Sequence, residues 1–424
     1  MRVELDPTDT HHSQSNMADM FLKNSREVSL RIFILLAPGC DLQNQTVHVH
    51  HYEQIIQLLN AHSGRWRHLR AQLPYALASQ LSGAFGGSHS QLKDLRITGY
   101  VSNINEDGMH STALRSSWKM RSCRPSPLRV EITGFRLRGV EINWNNTIEV
   151  TFTSLYANEC LELFRRAPRI IACTIINVVI GHDEGLPELT WLVPTLSSLK
   201  TLSISFSSGI SESLVMDRIC APALTHLSVS GKGSYDYVER LIDRSPCQLS
   251  SLDVGEKGHK FPDRVGISSI ARKTPRLQSL LVYGLSSDDF QIIFERLAQS
   301  PVYSESDLPP SRFLPQLSTL ICSAYPESPL PWSLIPSIFP PGDAEDDTRC
   351  RPFKVLDINL AMEKPDYIDE KTLHQLLGLL KRGVRLRILD WNMEEDVIES
   401  SCEYHGIEIP EGLDFINNRV SVFG

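Results

Sequence analysis

The hydrophobic positions of this chain repeat a short phrase, Leu-x-x-Leu-x-(Ile/Val), many times along its length. Within each copy apolar and polar residues alternate, which predicts a short strand with one buried face. Clear copies are Leu92-Leu95-Ile97, Leu199-Leu202-Ile204, Leu224-Leu227-Val229, Leu249-Leu252-Val254 and Leu277-Leu280-Val282. Weaker copies are Ile170-Cys173-Ile175, Leu317-Leu320-Cys322, Phe353-Leu356-Ile358 and Leu386-Leu389-Trp391.

The spacing of these copies indicates a structural repeat. From residue 170 onward their first positions are separated by 29, 25, 25, 28, 40, 36 and 33 residues. Between copies, apolar residues return at helical spacing, as Phe290, Ile293, Phe294 and Leu297 do. One turn-helix-strand unit cannot bury its own apolar face, but stacked units can. The pattern therefore predicts an α/β leucine-rich repeat solenoid with irregular repeats, similar to ribonuclease inhibitor. Its curved parallel sheet would form the concave side and its helices the convex side.

The pattern also predicts where this architecture starts and stops. Residues 1–17 are polar and lack apolar periodicity, so we expect a disordered tail there. The solenoid is predicted over 18–393, with inserted loops at about 301–312 and 325–351 that account for the two longest spacings. We expect 394–424 to form an acidic C-terminal cap or tail, because its first 21 residues hold eight carboxylates and no lysine or arginine.

The composition is that of a folded, water-soluble chain. Of 424 residues 41% are hydrophobic and 22% charged, and the net charge of −8 argues against a general nucleic-acid binder. No apolar run reaches the length of about 20 residues that a membrane-spanning helix needs, and no secretory signal is visible at the N-terminus. The nine cysteines are scattered without a CxxC pair, which indicates free thiols in a reducing compartment. We therefore expect a cytoplasmic or nuclear protein.

The strongest metal-like group is a histidine cluster ahead of the first clear copy. Residues 28–36 and 66–70 predict strands and 52–59 predict a helix, so His48, His50 and His51 would lie at a strand end. No Cys or carboxylate follows at a matching spacing, and we favour a solvated strand end over a metal site. Phosphate-binding and nucleophile-elbow motifs are missing from the sequence. We expect no catalytic residue, no cofactor, no metal and no enzymatic activity.

The repeat also predicts a surface. The second and third apolar positions of each phrase point inward, so the residues beside them point out onto the concave sheet. The candidate partner-binding residues are Thr201, Ser203, His226, Ser228, Ser251, Asp253, Ser279, Leu281, Tyr283, Asp357, Asn359, Asp390 and Asn392. They form either a groove for a protein partner or simply the solvated side of a curved sheet. Under the first hypothesis, charge reversal at Asp357 and Asp390 weakens partner binding without lowering the melting temperature.

One segment is strongly basic. Residues 115–138 hold seven Lys or Arg and a single Glu. Such a segment suits a phosphorylated peptide or an RNA backbone. A solvated loop, or a contact with the acidic C-terminal region 394–414, is the simpler interpretation, and we favour it. Nucleic acid and membrane partners are not expected.

Four segments resemble fungal F-box proteins with leucine-rich repeats. They are residues 61–69 (AHSGRWRHL, followed by Leu73 and Pro74), 158–168 (NECLELFRRAP), 241–249 (LIDRSPCQL) and 313–320 (FLPQLSTL). In that family the HS-x-RW phrase ends a helix and opens the first sheet strand. Their order and spacing agree with the family over residues 20–391. The resemblance implies the substrate-recognition part of a Skp–cullin–F-box ubiquitin ligase.

The chain departs from that family at its N-terminal end. An F-box is a helical module of about forty residues that opens with a phrase such as Leu-Pro-x-Glu, and nothing of that kind precedes Phe21. We therefore expect the ligase adaptor as a partner only if an F-box lies upstream of Met1. The expectation is a non-catalytic protein-interaction module that binds a protein on its concave face. The alternatives are a freestanding repeat scaffold unrelated to ubiquitin and, more remotely, an enzyme with an unrecognised site.

Overall fold

The computed structural model describes residues 2–5, 11–36, 49–83, 91–100, 117–120, 124–180, 194–231, 234–255, 266–299, 313–324, 326, 330–340, 351–362 and 366–410. The chain divides into two compact units, Met1–Ala223 and Leu224–Gly424, called here the N-terminal and the C-terminal unit. In each unit strands alternate with helices, and nearly all strands pair in parallel with their neighbours. The predicted α/β class with a parallel sheet is confirmed.

The described part of the N-terminal unit is built on a parallel sheet with the strand order β1-β2-β3-β4-β6-β8-β9-β10. Its strands are β1 Arg2–Leu5, β2 Leu30–Leu36, β3 Trp66–Pro74, β4 Asp94–Tyr100, β6 Arg129–Thr133, β8 Glu149–Tyr156, β9 Ala172–Val179 and β10 Thr201–Phe206. Two short strands, β5 Trp118–Lys119 and β7 Val140–Glu141, pair separately. The helices are α1 His11–Asn24, α2 Val49–Ala61, α3 Tyr75–Gln80, α4 Ala157–Arg166 and α5 Gly209–Met216. Short 3-10 helices lie at Ser63–Arg65, Leu137–Gly139 and Trp144–Asn146.

The leucine phrase explains the register of this sheet. The second apolar positions of its three copies, Leu95, Cys173 and Leu202, share one buried row with Leu69, Val130 and Val150 of the other strands. Burying one such aliphatic side chain contributes about 2 kcal/mol to the free energy of folding. A register slip by one residue would expose the whole row, so the hydrophobic pattern fixes the pairing.

Polar groups lock helix α4 onto this sheet. Its N-cap is Tyr156, whose backbone N–H donates to Oε2 of Glu159 at 3.3 Å. The same oxygen accepts from Nε of Arg136 at 2.7 Å, and the Arg136 guanidinium lies 3.3 Å from the centroid of the Tyr156 ring. Glu159 is 2% exposed, so its charge is stabilised by a paired cation rather than by water.

The described part of the C-terminal unit repeats the same design, with the strand order β11-β12-β13-β14-β15-β16-β17. Its strands are β11 His226–Ser230, β12 Ser251–Val254, β13 Ser279–Leu285, β14 Thr319–Ala324, β15 Val355–Leu360, β16 Arg385–Asp390 and β17 Glu395–Asp396, of which β17 runs antiparallel to β16. Its helices are α6 Ser234–Arg244, α7 Ile267–Lys273, α8 Ser287–Ala298, α9 Glu370–Lys381 and α10 Val397–His405. The buried row here is Leu227, Leu252, Leu280, Leu320, Leu356 and Leu386.

The predicted inserted loop at 325–351 contains an ordered element, and the prediction is wrong to that extent. A 3-10 helix spans Trp332–Ile338 and contacts α8 and α9. Its apolar residues Trp332, Ile335 and Ile338 recur every third residue, which suits the three residues per turn of a 3-10 helix and not the α-helical period. The other predicted insertion, 301–312, lies outside the described residues.

The end of that insertion is buried as well. Arg351 is 1% exposed, and its guanidinium donates to the carbonyl oxygens of Leu297 at 2.9 Å, Phe313 at 2.9 Å and Leu314 at 3.2 Å. These bonds satisfy carbonyl groups at the C-terminal end of α8 and in the segment before β14, where helix ends leave backbone oxygens unpaired. A residue predicted to lie in a loop therefore connects the end of α8 to the segment before β14.

The N-terminal segment also differs from its prediction. The disordered tail predicted over 1–17 is wrong for its described part, because β1 pairs in parallel with β2 and α1 begins at His11. Helix α1 is anchored by its second half, where Ala18 and Leu22 are buried one turn apart. Its first half is polar, so no apolar residues there show the helical period. His50 and His51 lie in helix α2 and not at a strand end, and His48 lies outside the described residues.

At the other end, the predicted acidic cap is an ordered element over part of its length. Strand β17 and helix α10 follow β16, and Val397, Ile398 and Cys402 are buried. Asp396 caps α10 by accepting hydrogen bonds from the backbone N–H groups of Ile398 and Glu399. Residues 411–424 lie outside the described part of the chain.

Candidate partner-binding surface

In the C-terminal unit, the side chains that alternate with the buried row form the open face of the sheet. Its first row is His226, Ser251, Ser279, Thr319, Val355 and Arg385. Its second row is Ser228, Asp253, Leu281, Ile321, Asp357 and Arg387. Most of these residues are partly exposed, whereas their chain neighbours Leu227, Leu252 and Leu280 are fully buried. The strands therefore place an outward-facing residue, polar in most cases, at every second position.

The middle of this open face is small and rich in hydroxyl groups. Ser228 donates from Oγ to Oδ2 of Asp253 at 2.9 Å across neighbouring strands. Tyr283 is half-buried, and burial followed by the charge of Asp253 raises the pKa of its hydroxyl above the usual value. The phenol therefore stays protonated at neutral pH and keeps its hydrogen for donation.

A glycine lets the backbone pass close to Tyr283. Gly255, which follows β12, has a φ of +126°, and a Cβ atom there would lie 2.7 Å from the carbonyl oxygen of Tyr283. Residues with a side chain rarely adopt this backbone conformation. Glycine at position 255 therefore permits the backbones that end β12 and continue β13 to come this close.

The far end of the open face is occupied by a polar network. Arg387 grips Asp357 with two hydrogen bonds, Nε to Oδ1 at 3.0 Å and Nη2 to Oδ2 at 2.6 Å. Asn359 donates to Asp357 at 3.2 Å and accepts from the indole N–H of Trp391 at 3.1 Å. The Arg387 and Asp357 side chains are only 17% and 13% exposed, whereas Trp391 is 51% exposed. The network holds a large aromatic ring in contact with solvent.

Two predicted surface residues do not lie on this face. Asp390 is 3% exposed and lies beside Leu360 in the inward row. Asn392 follows the strand and bonds to the carbonyl oxygen of Met362 at 2.7 Å. The weak copy Leu386-Leu389-Trp391 predicts Leu389 and Trp391 as the inward residues. The residues that point inward are Leu386 and Ile388, three positions earlier. Since Gly383 stands at the first apolar position, this copy lacks its leading leucine.

The expectation for charge reversal must be corrected for the same reason. Asp357 is held by Arg387, and Asp390 is buried and accepts the backbone N–H of Asn392 at 3.0 Å. Reversing either charge would place a cation against a cation or inside the core, so both changes would lower the stability. Neither residue tests partner binding.

In the N-terminal unit, Thr201 and Ser203 lie where the sequence predicts them, on the open face of β10. Ser203 is in register with Thr174, and Thr174 with Thr151. On β4, β6 and β8 the open face also carries charges, next to threonines such as Thr133 and Thr153. Arg96 pairs with Glu131 at 3.3 Å and Arg129 with Glu149 at 2.8 Å across neighbouring strands, and Arg96 pairs with Asp94 at 3.2 Å within β4. Nδ1 of His68 lies 3.7 Å from Oδ2 of Asp94.

Sequence reasoning missed part of the C-terminal open face. Thr319, Ile321 and Ser323 extend it on β14, and Arg385, Arg387 and Leu389 on β16. The residues on β14 could have been found, because the weak copy Leu317-Leu320-Cys322 was already recognised. The residues on β16 could not be predicted without the correct register. Gly383 replaces the leading leucine of the phrase, so the register could not be read from the sequence.

Other reactive groups in the described residues are sequestered. Six described cysteines are free thiols, and Cys160, Cys173, Cys322 and Cys402 are buried. Burial raises the pKa of the Cys173 thiol to about 12, so this sulfur stays protonated and unreactive. The described part of the chain holds no group of three His, Cys, Asp or Glu side chains arranged to bind a metal. None of its helices is long and apolar enough to cross a membrane.

Comparison of the chain with protein-family models gives no match, and comparison with curated protein sequences gives none.

Proposed function

We propose that this protein is a non-catalytic protein-interaction module with a leucine-rich repeat solenoid architecture, whose sheet face binds an extended segment of a protein partner. The observation that carries the proposal is a parallel sheet with one accessible face. Parallel sheets are usually covered on both faces and made of continuous apolar strands. Here buried and accessible residues alternate on β10 to β14, and the accessible ones are polar except for Leu281 and Ile321.

The chemistry of the C-terminal open face suits a polypeptide. Ser251, Ser279 and Thr319 lie side by side with short side chains, so a partner segment can come close to the sheet. Their hydroxyl groups both donate and accept, as the amide groups of a peptide require. Tyr283 and the exposed ring of Trp391 offer the large amphipathic side chains that are enriched at binding hot spots.

The elements of the structure also support the resemblance to fungal F-box proteins. The segment 61–69 runs from the last residue of α2 through the 3-10 helix Ser63–Arg65 into β3, and Trp66 is fully buried as a packing residue. As in that family, the HS-x-RW phrase ends a helix and opens a strand, but here β1 and β2 precede that strand in the sheet. We therefore propose that the partner is a substrate presented to a ubiquitin ligase.

A single substitution on the open face tests the partner-binding surface. We expect Ser279→Arg to remove at least 90% of the proteins that copurify with the full chain, because a long cation would fill the space between Ser251 and Thr319. Gln375→Arg, on the exposed side of α9, is the matched control and should retain them. Quantitative mass spectrometry of both eluates gives the result. Equal recovery with the two variants would exclude this face as the binding site.

The same eluates separate the two classes of interaction protein. Recovery of a cullin and its adaptor together with partners that are lost in Ser279→Arg supports a ligase subunit. Partners that depend on Ser279 without any ligase component would instead indicate a freestanding scaffold.

A further inference from the structure

A cavity in the N-terminal unit is lined by four arginines. Its volume is about 640 Å³, and its walls include Arg124, Arg138, Arg165 and Arg166. Two of these residues, Arg124 and Arg138, belong to the basic segment 115–138. The other arginines of that segment have different surroundings. Arg129 pairs with Glu149 on the sheet face, and Arg136 pairs with Glu159 in the interior. Arg115 and Arg121 lie outside the described residues.

The cavity has a rigid frame. The walls are built on the 3-10 helix Leu137–Gly139, strand β7 and the 3-10 helix Trp144–Asn146, whose residues Leu137, Val140 and Trp144 are buried. The backbone N–H of Asn143 donates to the carbonyl oxygen of Pro125 at 2.8 Å, which holds the segment after Arg124 in place. Polar side chains of the same elements, such as Arg138 and Asn145, are exposed.

A carboxylate orients two of the arginines. Glu162 accepts hydrogen bonds from Nε and Nη2 of Arg165 at 2.7 Å and 2.6 Å, and from Nε of Arg166 at 2.7 Å. The bond from Arg165 is the largest cause that lowers the pKa of Glu162, so this carboxylate is charged at neutral pH. Nη1 and Nη2 of Arg166 take no part in the contact with Glu162.

Cations predominate among the described lining residues. Four guanidinium groups and one carboxylate, that of Glu141, line the described wall, and Glu162 contacts two of the arginines from outside the lining. A phosphomonoester carries close to two negative charges at neutral pH and offers three acceptor oxygens. Planar guanidinium forks match such oxygens with paired hydrogen bonds.

We propose that this arginine cavity binds a phosphorylated serine or threonine of a protein segment, at a site separate from the sheet face. The volume is within the range of pockets that hold drug-sized ligands, so it has room for residues that flank the phosphate. The side-chain amides of Asn143 and Asn145 lie in the wall and suit the peptide groups of such a segment. RNA fits less well: the chain has a net charge of −8, and Trp144, the aromatic side chain among the described lining residues, is 4% exposed and offers little surface for stacking a base.

The test uses the full chain and fluorescent peptide pools with random residues on both sides of a central phosphoserine or phosphothreonine. By fluorescence anisotropy, we expect these pools to bind at least tenfold more tightly than the matched unphosphorylated pools. Millimolar inorganic phosphate should compete with them. The double variant Arg124→Ala/Arg138→Ala should weaken the binding at least tenfold, and Arg138→Lys, which keeps the charge but not the fork, should have a smaller effect. Arg70→Ala, an exposed arginine of β3 away from the cavity, is the matched control and should bind as the wild type does.

Each remaining outcome contradicts the proposal. Equal affinity for phosphorylated and unphosphorylated pools would exclude a phosphate site. Unchanged binding in a double variant that keeps the wild-type melting temperature would place the site elsewhere. Binding of inorganic phosphate or O-phosphoserine as tight as that of the peptide pools would assign the cavity to a free phosphate compound. Binding of a single-stranded RNA oligonucleotide, lost in the double variant while the phosphopeptide pools do not bind, would assign it to RNA.

Discussion

The open faces of the two units are made from equivalent strand positions, yet they carry different chemistry. In the N-terminal unit, strands β3 to β8 present charges that pair from strand to strand, as Arg129 and Glu149 do with side chains 57% and 46% exposed. In the C-terminal unit, strands β11 to β14 present mostly hydroxyl groups and two aliphatic side chains, and the Asp357–Arg387 pair is largely buried. The buried rows of the two units are aliphatic except for Cys173. The inward residues thus determine how the strands pack, and the outward residues are free to differ between the two faces.

The largest expected effect concerns the two kinds of ion pair. Replacing one partner of a largely buried pair leaves the other charge without compensation, whereas exposed pairs contribute little. We expect Asp357→Asn to lower the free energy of unfolding by about 2 kcal/mol. The matched change Glu149→Gln in the N-terminal unit should lower it by no more than about 0.5 kcal/mol. Urea denaturation of both variants gives the values, and equal losses would show that the two faces do not differ in this respect.

A smaller effect is expected from a buried carboxylate in the C-terminal unit. Burial raises the pKa of Asp396 to about 6, and this outweighs the two N-cap hydrogen bonds that stabilise its charged form. The folded state therefore binds this proton more tightly than the unfolded state does. Its contribution to stability is fully present below pH 4 and is lost as the pH rises through 6. Between pH 5 and pH 7 the loss amounts to about 1 kcal/mol.

The difference in stability between the wild type and Asp396→Asn isolates this group from the other titrating residues. We expect that difference to change by about 1 kcal/mol between pH 5 and pH 7, with the wild type relatively more stable at pH 5. A difference that is the same at both pH values would show that Asp396 titrates in its ordinary range.

The smallest effect is the coupling within the exposed pair. A double-mutant cycle of Arg129→Met and Glu149→Gln should give a coupling free energy of about 0.5 kcal/mol in low salt. Because both side chains are exposed, 1 M NaCl should abolish it. The corresponding cycle for Asp357 and Arg387 should keep most of its coupling free energy in high salt. A salt-resistant coupling in the N-terminal pair would remove the contrast between the two faces.

Much of the strand arrangement was predictable, because one short phrase carries it. Each clear copy, from Leu92-Leu95-Ile97 to Leu277-Leu280-Val282, lies on a strand or directly before one, with its last two residues buried. The prediction failed where the phrase lost a leucine, at β16, and where the apolar period was three and not 3.6, at Trp332–Ile338. Both elements are short, of six and seven residues, so they contain few apolar positions from which a period could be recognised.

The candidate surface was predictable in part for a different reason. The outward residues of β11 to β13 follow directly from their inward neighbours. The partners of those residues do not follow from sequence: Arg387 lies 30 positions after Asp357, and Arg165 and Arg166 line one cavity with Arg124, about 40 positions before them. No local pattern links residues at such separations.

Side-chain periodicity over a few residues was enough to predict the parallel strands and the alternation of buried and outward-facing residues. Which charges are paired, that Arg351 and Asp390 are buried, and that four arginines from three segments share one cavity became visible in the folded chain alone. Those features depend on the distances between elements far apart in the chain, which packing fixes and local periodicity does not.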